Sequence, residues 1–202
     1  MRLPPPVAEL GAALGAQRGV VAVALGGSRA AGTDDAGSDW DLGVYYRGAV
    51  DLTLLARHGE VHPPGAWGRL MNGGAWLTLD GLKVDVLLRD LDVVLHWAEE
   101  ARRGRYEVDA LLGYAAGAPT YMLLAELAVN HPVVGALPEA GPYPDALAEV
   151  GERRWRSEAP APPAPTMRAA TGTWASTIGE RWTWPLSRGT GTCTRPARGA
   201  VS

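Results

Sequence analysis

The stretch VVAVALGGSRAAGTDDAGSDWDLGVYY, residues 20–46, decides the fold of this chain. Its first six residues form an apolar run that predicts a buried strand, which ends at a glycine turn. A second strand is predicted from Asp39 to Tyr46. Because successive side chains of a strand point to opposite faces, Asp39 and Asp41 share a face, about 7 Å apart. Two like charges this close repel each other unless a cation lies between them, so the pair predicts a divalent metal site.

A β-hairpin supplies a third carboxylate. An Asp-Gly pair at 80–81 separates two runs of β-forming residues, 75–79 and 82–88, and is a strong turn signal. On the second run, Asp85 alternates with aliphatic residues that are expected to be buried. We therefore expect Asp85 to have the same setting as the earlier pair, a carboxylate on a strand of the sheet.

Residue patterns predict the remaining elements. Residues 58–74 are rich in Gly and Pro and are expected to form a loop. Asp51 is a candidate N-cap for a short helix. Helical periodicity or capping predicts further helices at 6–18, 90–103, 107–116, 120–130 and 144–155.

Composition argues against several classes of function. The 202 residues carry a formal net charge of -3 without a basic cluster, so nucleic acid is not an expected partner. Cys193 is the only cysteine, which excludes a disulfide framework. No apolar run approaches the roughly 20 residues that cross a bilayer, and the N-terminus does not read as a signal peptide. We therefore expect a cytoplasmic protein that does not bind membranes.

Residues 157–202 differ in composition from the rest of the chain. They contain one leucine, five arginines and two glutamates, so their formal charge is +3, whereas that of residues 1–156 is -6. The prolines of residues 159–165 cannot continue a helix. Two interpretations stay open, a disordered tail and a reading-frame shift near residue 157. We favour the frame shift because the break falls in mid-helix.

The order of the acidic motifs resembles the nucleotidyltransferase superfamily, which includes DNA polymerase β and the aminoglycoside nucleotidyltransferases. The signature is a Gly-Ser turn, a spacer, Asp-x-Asp on a strand and a third acidic residue within an apolar strand. Here these parts are Gly27-Ser28, ten residues, Asp39-Trp40-Asp41 and Asp85. The resemblance covers residues 18–90. Within the superfamily, the chain is also similar to small bacterial nucleotidyltransferase-domain proteins.

The resemblance implies an α+β fold, with a mixed β-sheet and a small C-terminal helical region. It divides the chain into a nucleotidyltransferase domain at 1–90, a helical region at 91–156 and an irregular tail at 157–202. The implied reaction is metal-dependent transfer of a nucleoside monophosphate from a nucleoside triphosphate, such as ATP, to a hydroxyl of a small-molecule or protein acceptor.

The resemblance also assigns roles to site residues. Asp39 and Asp41 would hold two Mg²⁺ ions, since hard cations prefer carboxylate oxygens. Asp85 would complete the second metal site and accept the proton of the attacking hydroxyl. The turn at Gly27-Ser28 would bind the triphosphate through its backbone and hydroxyl, and Arg29 is a further candidate for its charges.

Each of these roles has a simpler alternative. Asp85 could face solvent on an edge strand, and Ser28 could be only a helix N-cap. Lys83 is better explained as a surface lysine than as a phosphate ligand. Arg47 and Arg89 are weaker candidates for the triphosphate charges.

Two other motif interpretations fail. The glycine spacing after residue 26 is like that of a P-loop, but Thr33 and Asp34 stand where that motif requires Lys and Ser or Thr. His58 and His62 have i, i+4 spacing, but Pro63-Pro64 follows directly, so a zinc site is not expected.

Three functions remain open from the sequence. The first is a nucleotidyltransferase enzyme. The second is an antitoxin-type interaction protein whose partner is a helical toxin. The third is a truncated, inactive homologue, because the altered tail would interrupt the helical region that binds the acceptor in antibiotic-modifying relatives.

Overall fold

The computed structural model describes residues 2–111 and 114–150. Its main feature is a six-stranded mixed sheet of strand order β3-β4-β5-β2-β1-β8, flanked by helices, so the predicted α+β class with a mixed sheet is confirmed. The strands of this sheet are β1 Val20–Leu25, β2 Trp40–Tyr46, β3 Gly59–His62, β4 Gly73–Leu79, β5 Leu82–Asp90 and β8 His131–Gly135.

The other elements are helices and a separate hairpin. The hairpin consists of β6 Val108–Leu111 and β7 Tyr114–Pro119. The helices are α1 Pro5–Gly15, α2 Gly27–Ala31, α3 Gly68–Met71, α4 Leu91–Arg102 and α5 Met122–Val129, and a 3₁₀ turn spans Leu55–Arg57. Residues 145–150 are also helical, within the helix predicted at 144–155.

The sheet separates two apolar cores. On one face, α1 packs against the aliphatic side chains of the central strands, including Leu42, Val84 and Val86. On the other face, α4 and α5 cover the sheet around Tyr45 near the end of β2. On this second face, Asp41 near the start of β2 is only half-buried. The open end of the second face is therefore where a ligand can approach the strands.

Strand pairing fixes which side chains are neighbours. β2 and β5 are parallel, whereas the β1–β2, β1–β8, β3–β4 and β4–β5 pairs are antiparallel. The turn between β4 and β5 has positive φ at both Asp80 (48°) and Gly81 (81°), as a two-residue type I′ hairpin requires. The Asp-Gly hairpin prediction is therefore confirmed.

Most predicted elements are present with shifted ends. The strands at β1 and β2, the first helix and the helices α4 and α5 all match the sequence prediction. Asp90 is the N-cap of α4, and its carboxylate accepts hydrogen bonds from the backbone of Asp92 and Val93. Asp51 accepts a hydrogen bond from the backbone of Thr53, but the turn that follows is 3₁₀ rather than α-helical.

Two predictions were wrong. The helix expected at 107–116 is instead the β6–β7 hairpin, so region 91–156 is not purely helical. It also contributes β8, which extends the main sheet beside β1. The loop expected at 58–74 contains β3 and α3, because pairing with β4 organises a segment whose local sequence is rich in Gly and Pro.

The tail at 157–202 lies outside the described residues, and so does the end of the helix predicted to reach residue 155. Across residues 2–111 and 114–150, no helix has the length and apolar character needed to cross a membrane.

Candidate active site

One transverse row of side chains crosses four strands on the second face of the sheet. Asp41 on β2 pairs with Asp85 on β5, which pairs with Trp76 on β4, which pairs with Glu60 on β3. Neighbouring strands lie about 4.8 Å apart, so each member is next to the one before it. We call these four residues the transverse row. It brings the predicted carboxylates of β2 and β5 together.

Asp39 lies beside this row, two residues before Asp41 and on the same side of the chain. Its Oδ1 is 4.0 Å from Nζ of Lys83, which precedes Asp85 by two residues. The parallel register of β2 and β5, extended by one residue before Trp40, places Asp39 opposite Lys83. The three predicted carboxylates thus form a triangle of adjacent positions.

The charges of these carboxylates act on one another. Partial burial raises the pKa of Asp41, and the negative charge of Asp39 raises it further, against a smaller lowering by Arg29. Burial likewise raises the pKa of Asp85, with added repulsion from Asp41 and then Asp39, and Lys83 lowers it. The three carboxylates therefore repel one another across the site.

Gly27 allows the turn after β1 to pack directly on Asp41. Its φ is +62°, and a Cβ at this position would lie 1.9 Å from Oδ2 of Asp41. The backbone N–H of Gly26 donates to the carbonyl oxygen of Asp41 at 2.8 Å. The Gly-Ser turn and the Asp-x-Asp strand, which are separate in sequence, are therefore in contact.

Ser28 lies inside the first turn of α2, whose N-cap is Gly26. The alternative that Ser28 is only an N-cap is therefore wrong. Its side chain is half-buried, beside the turn that meets Asp41.

Arg29 fastens the loop that leads into β2. Its guanidinium donates to the carbonyl oxygens of Ser38 and Asp39, forms an ion pair with Asp34 at 3.0 Å and lies 4.1 Å from the ring centre of Trp40. These contacts hold Asp39 in place. Arg29 is thus placed to position a carboxylate, and its predicted contact with nucleotide stays a prediction.

A family model described as "Nucleotidyltransferase domain" matches residues 9–103. Residues 9–103 are a nucleotidyltransferase domain. The match includes the Gly-Ser turn, the Asp-x-Asp strand and Asp85, so the family signature and the clustered side chains coincide. A search of curated proteins finds no significant match to the chain.

The carboxylate oxygens clustered in the nucleotidyltransferase domain suit a Mg²⁺ ion that is bound together with a substrate. Within residues 2–111 and 114–150, no group of three or more His, Cys, Asp or Glu side chains stands ready to hold a metal ion by itself. Mg²⁺ is commonly held by one or two carboxylates plus substrate phosphates rather than by a cage of protein ligands alone. Asp39, Asp41 and Asp85 match that requirement, since their oxygens are hard ligands and their mutual repulsion would be relieved by a cation.

Segments beyond the nucleotidyltransferase domain support the Gly-Ser turn. Asn130, at the end of α5, donates through Nδ2 to the hydroxyl of Tyr45 at 2.9 Å, and its Oδ1 would be 2.9 Å from a Cβ at Gly26. The His131 ring lies 3.1 Å from the carbonyl oxygen of Ala30 in α2. Sequence reasoning missed these residues because their contacts join positions about a hundred residues apart.

The weaker arginine candidates are engaged elsewhere. Arg89 is 1% exposed, forms a double hydrogen bond with Glu126 on α5 at 2.8 and 2.7 Å, and donates to the carbonyl oxygen of Met71. Burial alone would lower its pKa, but Glu126 outweighs that effect and the pKa is raised. Arg89 therefore ties α5 to β5, and the prediction that it contacts triphosphate is wrong. Arg47 forms an exposed ion pair with Asp92 at 3.1 Å.

Aromatic side chains at the far end of the row were also missed. Trp76 is 49% exposed, and its ring centre lies 4.6 Å from that of His62 and 5.4 Å from that of Trp67. The signal was present in the sequence, because a two-residue turn at 80–81 fixes the β4–β5 register and places Trp76 opposite Asp85.

Proposed function

We propose that this chain catalyses metal-dependent transfer of a nucleoside monophosphate from a nucleoside triphosphate to a hydroxyl of an acceptor. The family supports nucleotidyl transfer in general. The observation that carries the finer proposal is the contact between the Gly27 turn and Asp41, with Asp85 as the next residue of the row. It supports the proposal because the turn, Asp41 and Asp85 are successive neighbours on one line across the sheet.

The turn would hold the β- and γ-phosphates. Glycine at 27 leaves room beside the Asp41 carboxylate that a side chain would fill. The first backbone N–H groups of a helix have no hydrogen-bond partner within that helix, and in α2 these groups lie at the Gly-Ser turn. The Ser28 hydroxyl adds a donor to the phosphate oxygens.

The carboxylates would hold the metal ions. Asp39 and Asp41, with Asp85 at the second site, supply the oxygens, and bound Mg²⁺ would stabilise charge on the entering and leaving oxygens. Asp85, next to Asp41 in the row, would also accept the proton of the attacking hydroxyl.

The experiment is a transfer assay with α-labelled nucleoside triphosphates, Mg²⁺ and candidate hydroxyl acceptors, comparing the native chain with D41N. Asp92→Asn serves as the control. Asp92 is an exposed acidic residue on α4, and its carboxylate forms an ion pair with Arg47. We expect labelled product from the native chain and D92N, and none from D41N. Equal labelling by D41N would refute the proposal.

A further inference from the structure

We propose that Asn130 is a positioning residue for triphosphate binding, and that its side-chain amide, held by Tyr45, keeps the Gly-Ser turn seated against Asp41. This inference rests on the proposed function and adds to it a residue outside the matched range 9–103. It starts from the place of Asn130 between α5 and β8, where the chain passes the end of β1.

The backbone on either side fixes the position of Asn130. Its N–H donates to the carbonyl oxygen of Glu126 at 2.8 Å, at the end of α5. Glu126 is itself held on β5 by its double hydrogen bond with the buried Arg89. The next residue, His131, begins β8 and pairs with Leu25, the last residue of β1 before the turn. Asn130 is therefore held beside the turn from both directions along the chain.

The side-chain amide of Asn130 lies between Tyr45 and the turn. Its Nδ2 donates to the Tyr45 hydroxyl at 2.9 Å, and its Oδ1 is 2.9 Å from the position that a Cβ would take at Gly26. The backbone of Gly26 is extended, with φ −121°, so its conformation alone does not require glycine. The close approach of the amide accounts for a glycine at this position.

Tyr45 ties this amide to the strand that carries Asp41. Asp41, Gly43 and Tyr45 alternate along β2 and share a face of the sheet. Gly43 leaves the space between the other two open, since a Cβ there would lie 3.1 Å from Cε2 of Tyr45 and 3.6 Å from Nδ2 of Asn130. Because the turn packs on Asp41, the contacts close into a ring that runs from Asp41 through Tyr45 and Asn130 to the turn.

His131 holds the other end of α2. Its Nε2 lies 3.1 Å from the carbonyl oxygen of Ala30, in the last turn of that helix. The first backbone N–H groups of α2, which would bind phosphate oxygens, lie between this contact and the contact of Asn130 with Gly26. A turn that is fixed at both ends loses little conformational freedom when it binds a ligand, so loosening it should weaken the affinity for triphosphate.

The test compares Tyr45→Phe with Tyr46→Phe and Asn130→Ala in the full chain. Tyr46 is the matched control, because it is the next residue of β2, is also buried, and its hydroxyl accepts a hydrogen bond from Nδ2 of Asn72 at 2.8 Å. Each Tyr→Phe change removes one asparagine–tyrosine hydrogen bond, but only the bond at Tyr45 leads to the turn. Calorimetry measures binding of Mg²⁺ with a non-hydrolysable ATP analogue.

Amide hydrogen exchange, followed by NMR, reports the seating of the turn without any ligand. The N–H of Gly26 donates to the carbonyl oxygen of Asp41 at 2.8 Å. The reference is the N–H of Arg47, which donates to the carbonyl oxygen of Gly19 at 2.9 Å, at the opposite end of the β1–β2 pair. A general loss of stability speeds exchange at both amides, whereas a loosened turn speeds exchange at Gly26 alone.

We expect Y45F to weaken binding of the analogue about fivefold, N130A at least about tenfold, and Y46F less than about twofold. The double variant Y45F/N130A should bind as N130A does, because Tyr45 acts through Asn130. Exchange at Gly26 relative to Arg47 should be at least about tenfold faster in N130A and no faster in Y46F.

Three results would overturn the role of Asn130 and leave the proposed function standing: equal losses of binding in Y45F and Y46F, additive losses in the double variant, or an unchanged exchange ratio in N130A. A native chain that does not bind the Mg²⁺–analogue complex would overturn the proposed function and the role of Asn130 in triphosphate binding together.

Discussion

Replacement of Gly27 by alanine tests the contact between the turn and the Asp-x-Asp strand. Two costs follow from the structure. An alanine at φ +62° costs about 1–2 kcal/mol relative to glycine. Its Cβ would also lie 1.9 Å from Oδ2 and 2.5 Å from Cγ of Asp41, so the carboxylate must leave its position, at about 0.5–1.5 kcal/mol for a strained rotamer. We expect G27A to destabilise the protein by about 1.5–3.5 kcal/mol.

Gly32 provides the matched control. Its φ is +68°, almost the same, but a Cβ there meets nothing within 4 Å. Gly32→Ala should therefore cost only the backbone contribution of about 1–2 kcal/mol. The difference between the two variants isolates the collision with Asp41.

The assay is urea unfolding of the full chain, with binding of a Mg²⁺–triphosphate analogue measured on the same samples. With a slope of about 2 kcal/mol per molar urea, a 1 kcal/mol difference separates the two midpoints by about 0.5 M. G27A should lose analogue binding at least tenfold, and G32A should keep it. In the G27A/D41A double variant part of the G27A cost should disappear, because the colliding carboxylate is absent. Equal midpoints for G27A and G32A, or normal binding by G27A, would refute the reasoning.

Three further predictions follow from ion pairs and carboxylates. Arg29→Lys loses the forked hydrogen bonds to the carbonyl oxygens of Ser38 and Asp39, so binding of the Mg²⁺–analogue complex should weaken by about 1–3 kcal/mol while a circular dichroism spectrum stays native; unaltered binding would contradict this. Glu126→Ala leaves Arg89 buried without its partner and should destabilise by about 3–5 kcal/mol, whereas joint replacement by Met at 89 and Leu at 126 should cost much less in the same urea assay. Asp41→Asn should stabilise the metal-free protein, because the raised pKa means that folding makes the charged form unfavourable. Since that penalty is absent below the ordinary pKa of 3.8 and complete above the raised one, the gain in melting temperature in EDTA should grow from acidic to neutral pH; a gain that shrinks with pH would show the sign to be wrong.

The elements predicted correctly from sequence are those encoded locally. The apolar run before Gly26, the alternation after Asp39 and the Asp-Gly turn each specify a strand or hairpin within a few residues. Asp90 is likewise a local start signal for α4. These cues were sufficient for the central strands and for the three carboxylates they hold.

The missed elements depend on distant pairing. β3 forms because residues 59–62 pair with β4, and a Gly- and Pro-rich sequence carries no signal for that. β8 is a strand because it adds to β1, more than a hundred residues earlier. The sequence of 107–116 predicts a helix because its local pattern does not reveal the pairing of β6 with β7.

The candidate site shows the same division. Asp39, Asp41 and Asp85 were predicted from motif and alternation, whereas the support given to the turn by Asn130 and His131 required the fold. Trp76 is an intermediate case, since its place opposite Asp85 follows from the length of the turn but its exposure does not.

Calorimetric titration of the full chain with a non-hydrolysable nucleoside triphosphate, with and without Mg²⁺, tests the central claim most directly, because it needs no acceptor. If Asp39, Asp41 and Asp85 hold metal and triphosphate together, the native chain and D92N bind the analogue only when Mg²⁺ is present, and D41N and D85N bind it at least a hundredfold more weakly. Binding by the native chain that is equally tight in EDTA, or that is unchanged in D41N and D85N, would contradict the account.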